Sequence, residues 1–391
     1  MRVLALGGGI LLALSVAIAA AYGSGSPLAN GIERTDTWSI VFLTAVATAF
    51  VLYVVALLLL RRGSGALRLT CTLGVLIQLA PLVAPVLLSR DVYSYWAYGR
   101  IAAVHHANPY ERPPADFPRD PATREVARAW RHTSSVYGPV FTGASAGIAA
   151  VSGSSRTVAA FLFRVGAALA VIATALLAAH VARRKALAAA LVAWNPLFAV
   201  HFAGGGHNDA LMVAGMVAAL VAAKRRNDVA AGALWIVSGA VKSAALVLFP
   251  LALLRSRRGV WLGAAAAATV VTLVAALAFG DAWWSNFGGL KRREAGYSIP
   301  SRLDQLGLGE FGSTWLPWIA LGAGALWLAA QALRGRVRLG LAACLLLVTS
   351  EWILPWYALW PLGLAAAEED GLAQVVAVCL AAYLIGDRVP I

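Results

Sequence analysis

A long apolar run ends at Arg90-Asp91, and aromatic residues then crowd the next positions as Tyr93, Tyr95, Trp96 and Tyr98, in the stretch "LLSRDVYSYWAYGR". A carboxylate at the mouth of an apolar segment is placed to act as a general base on a hydroxyl nucleophile, provided the two come within hydrogen-bonding reach. Aromatic faces beside it suit the C–H-rich faces of sugar rings and leave the ring hydroxyls free to bond elsewhere. The plainer alternatives are an ion pair that merely ends a helix at the interface and an interfacial aromatic belt.

Two further constellations could do chemistry. In "AWNPLFAVHFAGGGHNDALM", Pro196 bends or ends a helix, three glycines release the chain, and His207, Asn208 and Asp209 open the next helix. Asn208 or Asp209 as an N-cap accounts for this run equally well, and the run is a weak metal signal. In "VSGAVKSAALVLFP", Lys242 stands alone among apolar residues, where centring a charge in a bilayer costs about 2.5–3.5 kcal/mol. It either snorkels to an interface or meets an anion such as a phosphate or carboxylate. Tyr137 precedes a Gly-Pro turn, "YSIPSRL" contributes Ser301 and Arg302, and "SEWILPWY" places Glu351 near Trp356 and Tyr357. Arg292, with Lys291, Arg293 and Arg302, makes the segment at about 280–313 basic.

These residues need elements to hold them. The chain has 391 residues, 60% hydrophobic and 13% charged, against roughly 45–50% and about 25% in soluble domains. Apolar runs recur along the whole length, so the expectation is an all-α, polytopic transmembrane bundle forming a single domain over 1–391. The spans read at roughly 3–22, 37–60, 66–88, 137–152, 158–181, 186–203, 209–223, 229–254, 260–279, 314–333, 338–350, 356–367 and 372–386, with the first taken as a helix and not a cleaved leader. The net charge of +14 sits largely in short clusters between spans, such as Arg61-Arg62, Arg183–Lys185 and Lys224–Arg226. That is the signature of cytoplasmic loops and argues against nucleic-acid binding. Cys71, Cys344 and Cys379 lack ligand-like spacing, which supports neither a zinc site nor a disulfide framework.

With Arg61-Arg62 inside, Asp91 falls outside, in an inner-membrane protein whose active loops are about 89–136 and 280–313. The first of these, rich in prolines and aromatics, is expected to be ordered against the membrane. Counting onward, however, puts Arg183–Lys185 on the wrong side, so a segment between 137 and 209 does not fully cross or one cluster disobeys the rule. The segment 229–254 reads either as one span or as a hairpin of two short helices with Lys242 near its apex.

Taken in series, "RDVYSYWAYGR", "NPY" at Asn108–Tyr110, "YGP" at Tyr137–Pro139, "NPL…GGGHNDALM", Lys242 and "LPWY" resemble the integral-membrane (C-type) glycosyltransferases. They are most similar to the bacterial polyprenol-phosphomannose-dependent mannosyltransferases that build lipomannan-type glycans. The resemblance covers about residues 87 to 360 and implies roughly 11 to 13 helices with an outer-face site. It implies a polyprenyl-phosphate sugar donor, a glycan or glycolipid acceptor and inversion at the anomeric carbon. It also implies that Asp91 is the catalytic base, with Arg90, Lys242, Arg292 or Arg302 stabilising the leaving phosphate. No cofactor is implied with certainty, and a divalent cation stays open. Mannose is the expected sugar, with arabinose or glucose as alternatives. A secondary transporter or lipid flippase would share the helices and buried charge, but the second half holds no counterpart of the Arg-Asp-aromatic element.

Overall fold

The computed structural model describes the chain except residues 24, 25, 27, 29–35, 64, 65, 286–295 and 391. Among the described residues it is helical, with no strand. The first three helices are α1 (Arg2–Ala21), α2 (Thr37–Arg62) and α3 (Leu67–Leu79). The helix expected to run to residue 88 stops early. Pro81 opens a last tight turn ending at Val83, and residues 84–90 are irregular, because Pro81 and Pro85 each remove a backbone donor. The irregular stretch is pinned by Leu87 N–H donating to the Gly204 carbonyl at 3.0 Å and Leu88 N–H to the Leu28 carbonyl at 3.1 Å.

The pinned stretch delivers Asp91 to the first position of α4 (Asp91–Ala103). The segment expected to be a loop thus begins as a helix, and its aromatics turn inward: Tyr95, Trp96 and Tyr98 are buried. Below it lies α5 (Pro139–Ser152), packed so closely that a Cβ on Gly99 would sit 2.1 Å from the Ser145 carbonyl oxygen. The intervening loop is ordered around Asp120, which accepts from Arg100 Nε at 2.9 Å and lies 2.7 Å from His105 Nε2.

α5 also resolves the miscount of crossings. Its first end is tied to the residue before Lys242, with Gly138 N–H donating to the Val241 carbonyl at 3.1 Å. Its far end returns to the same side: Arg100 bonds the Gly153 carbonyl, and Arg156 just beyond meets Glu125 at 2.9 Å, which in turn lies 3.9 Å from Arg90. With both ends held on one side, α5 does not run from one end of the bundle to the other.

Then follow α6 (Arg156–Val181) and α7 (Lys185–Ala193). After Asn195-Pro196 the chain continues helically to Gly204, bent by 41°. The bend costs backbone bonds that side chains replace: Gln78 Nε2 donates to the carbonyls of Ala193 and Asn195 at 3.0 and 3.2 Å, and Asn195 Oδ1 caps Leu197 N–H at 3.0 Å. Arg164 of α6 donates to the carbonyls of Ala203 and Pro81. The remaining longer helices are α8 (Asp209–Lys224), α9 (Asp228–Val241), α10 (Ala244–Leu253), α11 (Arg258–Phe279), α12 (Leu316–Leu333), α13 (Leu339–Thr349), α14 (Leu359–Glu368) and α15 (Gly371–Tyr383). The 229–254 segment is therefore two helices, broken at Lys242-Ser243.

Among the described residues, five helices are long and apolar enough to cross a membrane, namely α1, α2, α6, α11 and the 311–333 helix ending in α12; the bent 185–204 pair makes a sixth. Shorter apolar helices complete a polytopic membrane bundle.

Basic clusters from separate loops meet at the turn between α14 and α15. Arg61 Nη2 donates to Gln374 at 3.2 Å, Glu369 accepts from the backbone amides of Arg183 and Arg184 at 2.9 and 3.0 Å, Lys224 donates to the Ala367 carbonyl at 2.7 Å, and Arg338 pairs with Asp370 at 2.7 Å. The cluster expected on the wrong side thus lies with the others. Asp209 and Lys224 occupy opposite ends of α8, so the site built around Asp209 is at the other end of the bundle.

Candidate active site

At that other end, a cavity of about 510 Å³ opens between the start of α4, the start of α8, the α9–α10 break and the turn at Pro355–Ala358, with α12 and α13 as its outer wall. Asp91 is presented by the α4 N-terminus, its backbone N–H donating to Ser89 Oγ at 3.2 Å. Its Oδ2 is 3.3 Å from His207 Nδ1, and its side chain is 27% exposed. Gly206 makes this approach possible. It holds φ +73, and a Cβ there would lie 2.4 Å from Val92 of α4. His207 is fully buried and stacks on Trp356, with ring centroids 3.4 Å apart and planes at 12°.

Partial burial raises the Asp91 carboxyl pKa, but the bonding and charge of His207, the bond from Ser89 and the Arg388 charge outweigh it. The net pKa lies below the ordinary carboxylate value, so the group is ionised at neutral pH and can accept a proton.

Asp209 has a different environment. It is 1% exposed, and its oxygens accept from Lys242 Nζ at 2.8 and 2.9 Å and from Trp360 Nε1 at 2.8 Å. Lys242 sits where α9 ends, its ammonium 4.5 Å from the Tyr357 ring centroid and 5.5 Å from that of Trp360. A carboxylate and two aromatic faces thus hold a cation against the cavity without fully enclosing it. Tyr95 and Tyr137 meet edge-to-face at 5.0 Å and form the side wall.

The structure brings Asp91, Tyr95, Tyr137, Asn208, Asp209, Lys242, Trp356 and Tyr357 to this cavity, with His207 directly behind Asp91 and Trp356. The side chain of Asn208 makes no capping bond to α8. Other expected residues lie elsewhere. Arg90 pairs with Glu125, and Tyr93 is half-buried outside the cavity lining. Ser301 receives its backbone cap from Ser298, while Arg302 bonds Gln305 at 2.8 Å and lies over Tyr297. Arg292 lies outside the described residues. Glu351, Trp130 and Ser243 also line the cavity, and Pro317, Trp318, Leu321 and Leu346 give it an apolar flank. The role of Trp360 was readable from its spacing of three and four after Tyr357 and Trp356, which places all three on one helical side. The α12 residues carry no such signal, because lipid-facing and cavity-facing apolar residues look alike. Among the described residues, no group of three or more His, Cys, Asp or Glu is placed to hold a metal ion.

A family model described as "Alpha-(1->6)-mannopyranosyltransferase, N-terminal domain" matches residues 2–258. The chain is 28% identical over 352 residues to alpha-(1->6)-mannopyranosyltransferase A of Mycobacterium tuberculosis, covering 80% of this chain and 68% of that protein. It is 37% identical over 159 residues to a probable alpha-(1->6)-mannopyranosyltransferase of Mycolicibacterium smegmatis, covering 38% and 28%. It is 29% identical over 191 residues to alpha-(1->6)-mannopyranosyltransferase A of Corynebacterium glutamicum, covering 48% and 37%. The matches to these last two relatives thus span well under half of their length. No solved structure matches.

Proposed function

Because the chain belongs to the alpha-(1->6)-mannopyranosyltransferase family of membrane hexosyltransferases, we propose that it moves mannose from a polyprenyl-phosphate donor to a hydroxyl of a glycan or glycolipid acceptor at the outer face of the inner membrane, with inversion. The observation that carries this reading is one cavity lined by both an ionised, accessible Asp91 and a cation, Lys242.

In the proposed reaction, Asp91 takes the proton from the acceptor hydroxyl. The resulting oxygen forms a bond to the anomeric carbon as the bond from that carbon to the phosphate oxygen breaks. The electron pair leaves with polyprenyl phosphate, whose added charge Lys242 stabilises. A single displacement inverts the anomeric configuration. The apolar flank of Pro317, Trp318, Leu321 and Leu346 suits the prenyl chain. Orientation is supported by the basic clusters gathered at the opposite end of the bundle, since such clusters face the cytoplasm.

The test is turnover by purified protein in lipid, given labelled polyprenyl-phosphomannose and a mannoside acceptor. Asp91→Asn is expected to reduce turnover by about 10²–10⁴-fold. Wild-type turnover in a folded Asp91→Asn variant would overturn the base assignment, and a retained anomeric configuration in the product would overturn the single displacement.

A further inference from the structure

Buried polar side chains are normally hydrogen-bonded, because burying an unpaired amide forfeits its bonds to water. Asn208 departs from this: it is 2% exposed, and both its Oδ1 and its Nδ2 lack a protein partner. Among the described residues with such unpaired buried side-chain atoms, it alone lines the cavity. It does not serve the fold as a cap, although it stands at the start of α8. Asn195 makes the contrast, since its Oδ1 caps Leu197 N–H and the residue stands away from the cavity.

Both chain neighbours of Asn208 belong to the site. His207 touches Asp91, and Asp209 holds Lys242, so three consecutive residues connect the base to the phosphate-stabilising cation. This inference rests on the proposed reading, in which the acceptor hydroxyl meets Asp91 and the donor phosphate meets Lys242. The transferred sugar ring then lies between them, beside Asn208. A carboxamide presents one acceptor and a two-hydrogen donor side by side, which complements two adjacent ring hydroxyls. We propose that Asn208 is the residue that recognises the transferred sugar, by paired hydrogen bonds to a vicinal diol of the pyranose ring.

The experiment measures binding of polyprenyl phosphate and of polyprenyl-phosphomannose to the full chain in lipid nanodiscs, for wild type, Asn208→Leu and Asn208→Ala. Wild type is expected to bind the mannosylated lipid about tenfold more tightly than the bare phosphate. Both variants are expected to lose that preference while keeping wild-type affinity for the bare phosphate. Asn208→Leu keeps the side-chain volume and removes the unpaired amide, so its melting temperature is expected to stay at or above wild type. A preference that survives in the variants overturns the proposal, as does a wild type that binds both lipids equally. A lowered melting temperature in Asn208→Leu with the preference intact assigns Asn208 to the fold and also overturns it. Wild-type protein that binds bare polyprenyl phosphate but excludes the mannosylated lipid overturns the donor reading itself, a result distinguishable from the others.

Discussion

Asp91 and Asp209 border one cavity, and their surroundings give them opposite roles. Asp209 has its oxygens occupied by Lys242 and Trp360 and is closed to water, whereas Asp91 keeps accessible carboxylate beside a single imidazole. Removing one member of a buried ion pair strands the other. Asp209→Ala is therefore expected to destabilise the protein by about 3 kcal/mol, measured by unfolding in detergent, whereas Asp209→Leu combined with Lys242→Met should recover much of that stability and still abolish turnover. The Asp91 carboxyl, depressed in the folded state, has a defined sign of pH dependence. Its stabilising contribution is present above the unfolded-state pKa of about 3.9 and is lost as pH falls through the lower folded value. The acid limb of turnover assigned to Asp91 should accordingly have its midpoint below about pH 3.9 in a pH–rate profile. An Asp91-dependent midpoint above that range would contradict the depressed value.

At the scale of elements, the helices that carry the site are set by where backbones touch. α9, which Lys242 directly follows, packs on α11 through a reciprocal glycine contact: a Cβ on Gly232 would lie 1.9 Å from the Val260 carbonyl oxygen, and one on Gly263 would lie 1.9 Å from that of Val229. Small residues allow such approach between membrane helices. Gly263→Ala must push the helices apart and is expected to cost about 1–3 kcal/mol, read as a lowered melting temperature. Gly147→Ala in α5 is the matched control. Nothing lies within 4 Å of its added Cβ, and the substitution is expected to be neutral or to stabilise by up to about 1 kcal/mol. The glycines themselves were visible in the sequence, but their contacts join residues about 30 positions apart. Local periodicity could therefore not separate the glycine that touches a backbone from the one that faces open space.

The whole molecule separates its two chemistries by distance. Basic side chains cluster around the α14–α15 turn, and the cavity occupies the other end of α8. In a variant lacking the natural cysteines, Arg90→Cys is expected to react with a membrane-impermeant maleimide in intact cells and Arg226→Cys to react only after permeabilisation. Both positions are exposed, and the reverse pattern would place the cavity in the cytoplasm. The wrong-side assignment of Arg183–Lys185 arose because α5 is apolar like a crossing helix while both of its ends return to one side. Hydropathy registers the cost of exposing a residue to water, but not whether the hydrophobic surroundings are lipid or protein.

By itself the sequence determined the class of the molecule and singled out eight of the residues that line the cavity. Charge is expensive in an apolar chain, so Asp91, Asp209 and Lys242 stood out wherever they were folded. Tertiary structure alone decided how those residues divide the work. The Lys242 ion pair closes across 33 positions and the Trp360 hydrogen bond to Asp209 across 151, separations at which no periodic pattern connects one residue to the other. It also turned Tyr95 and Trp96 into the core, took Arg90 and Arg302 to other partners, and left Asn208 buried without one. Whether a polar side chain is paired depends on every element packed around it, and only the assembled bundle supplies that answer.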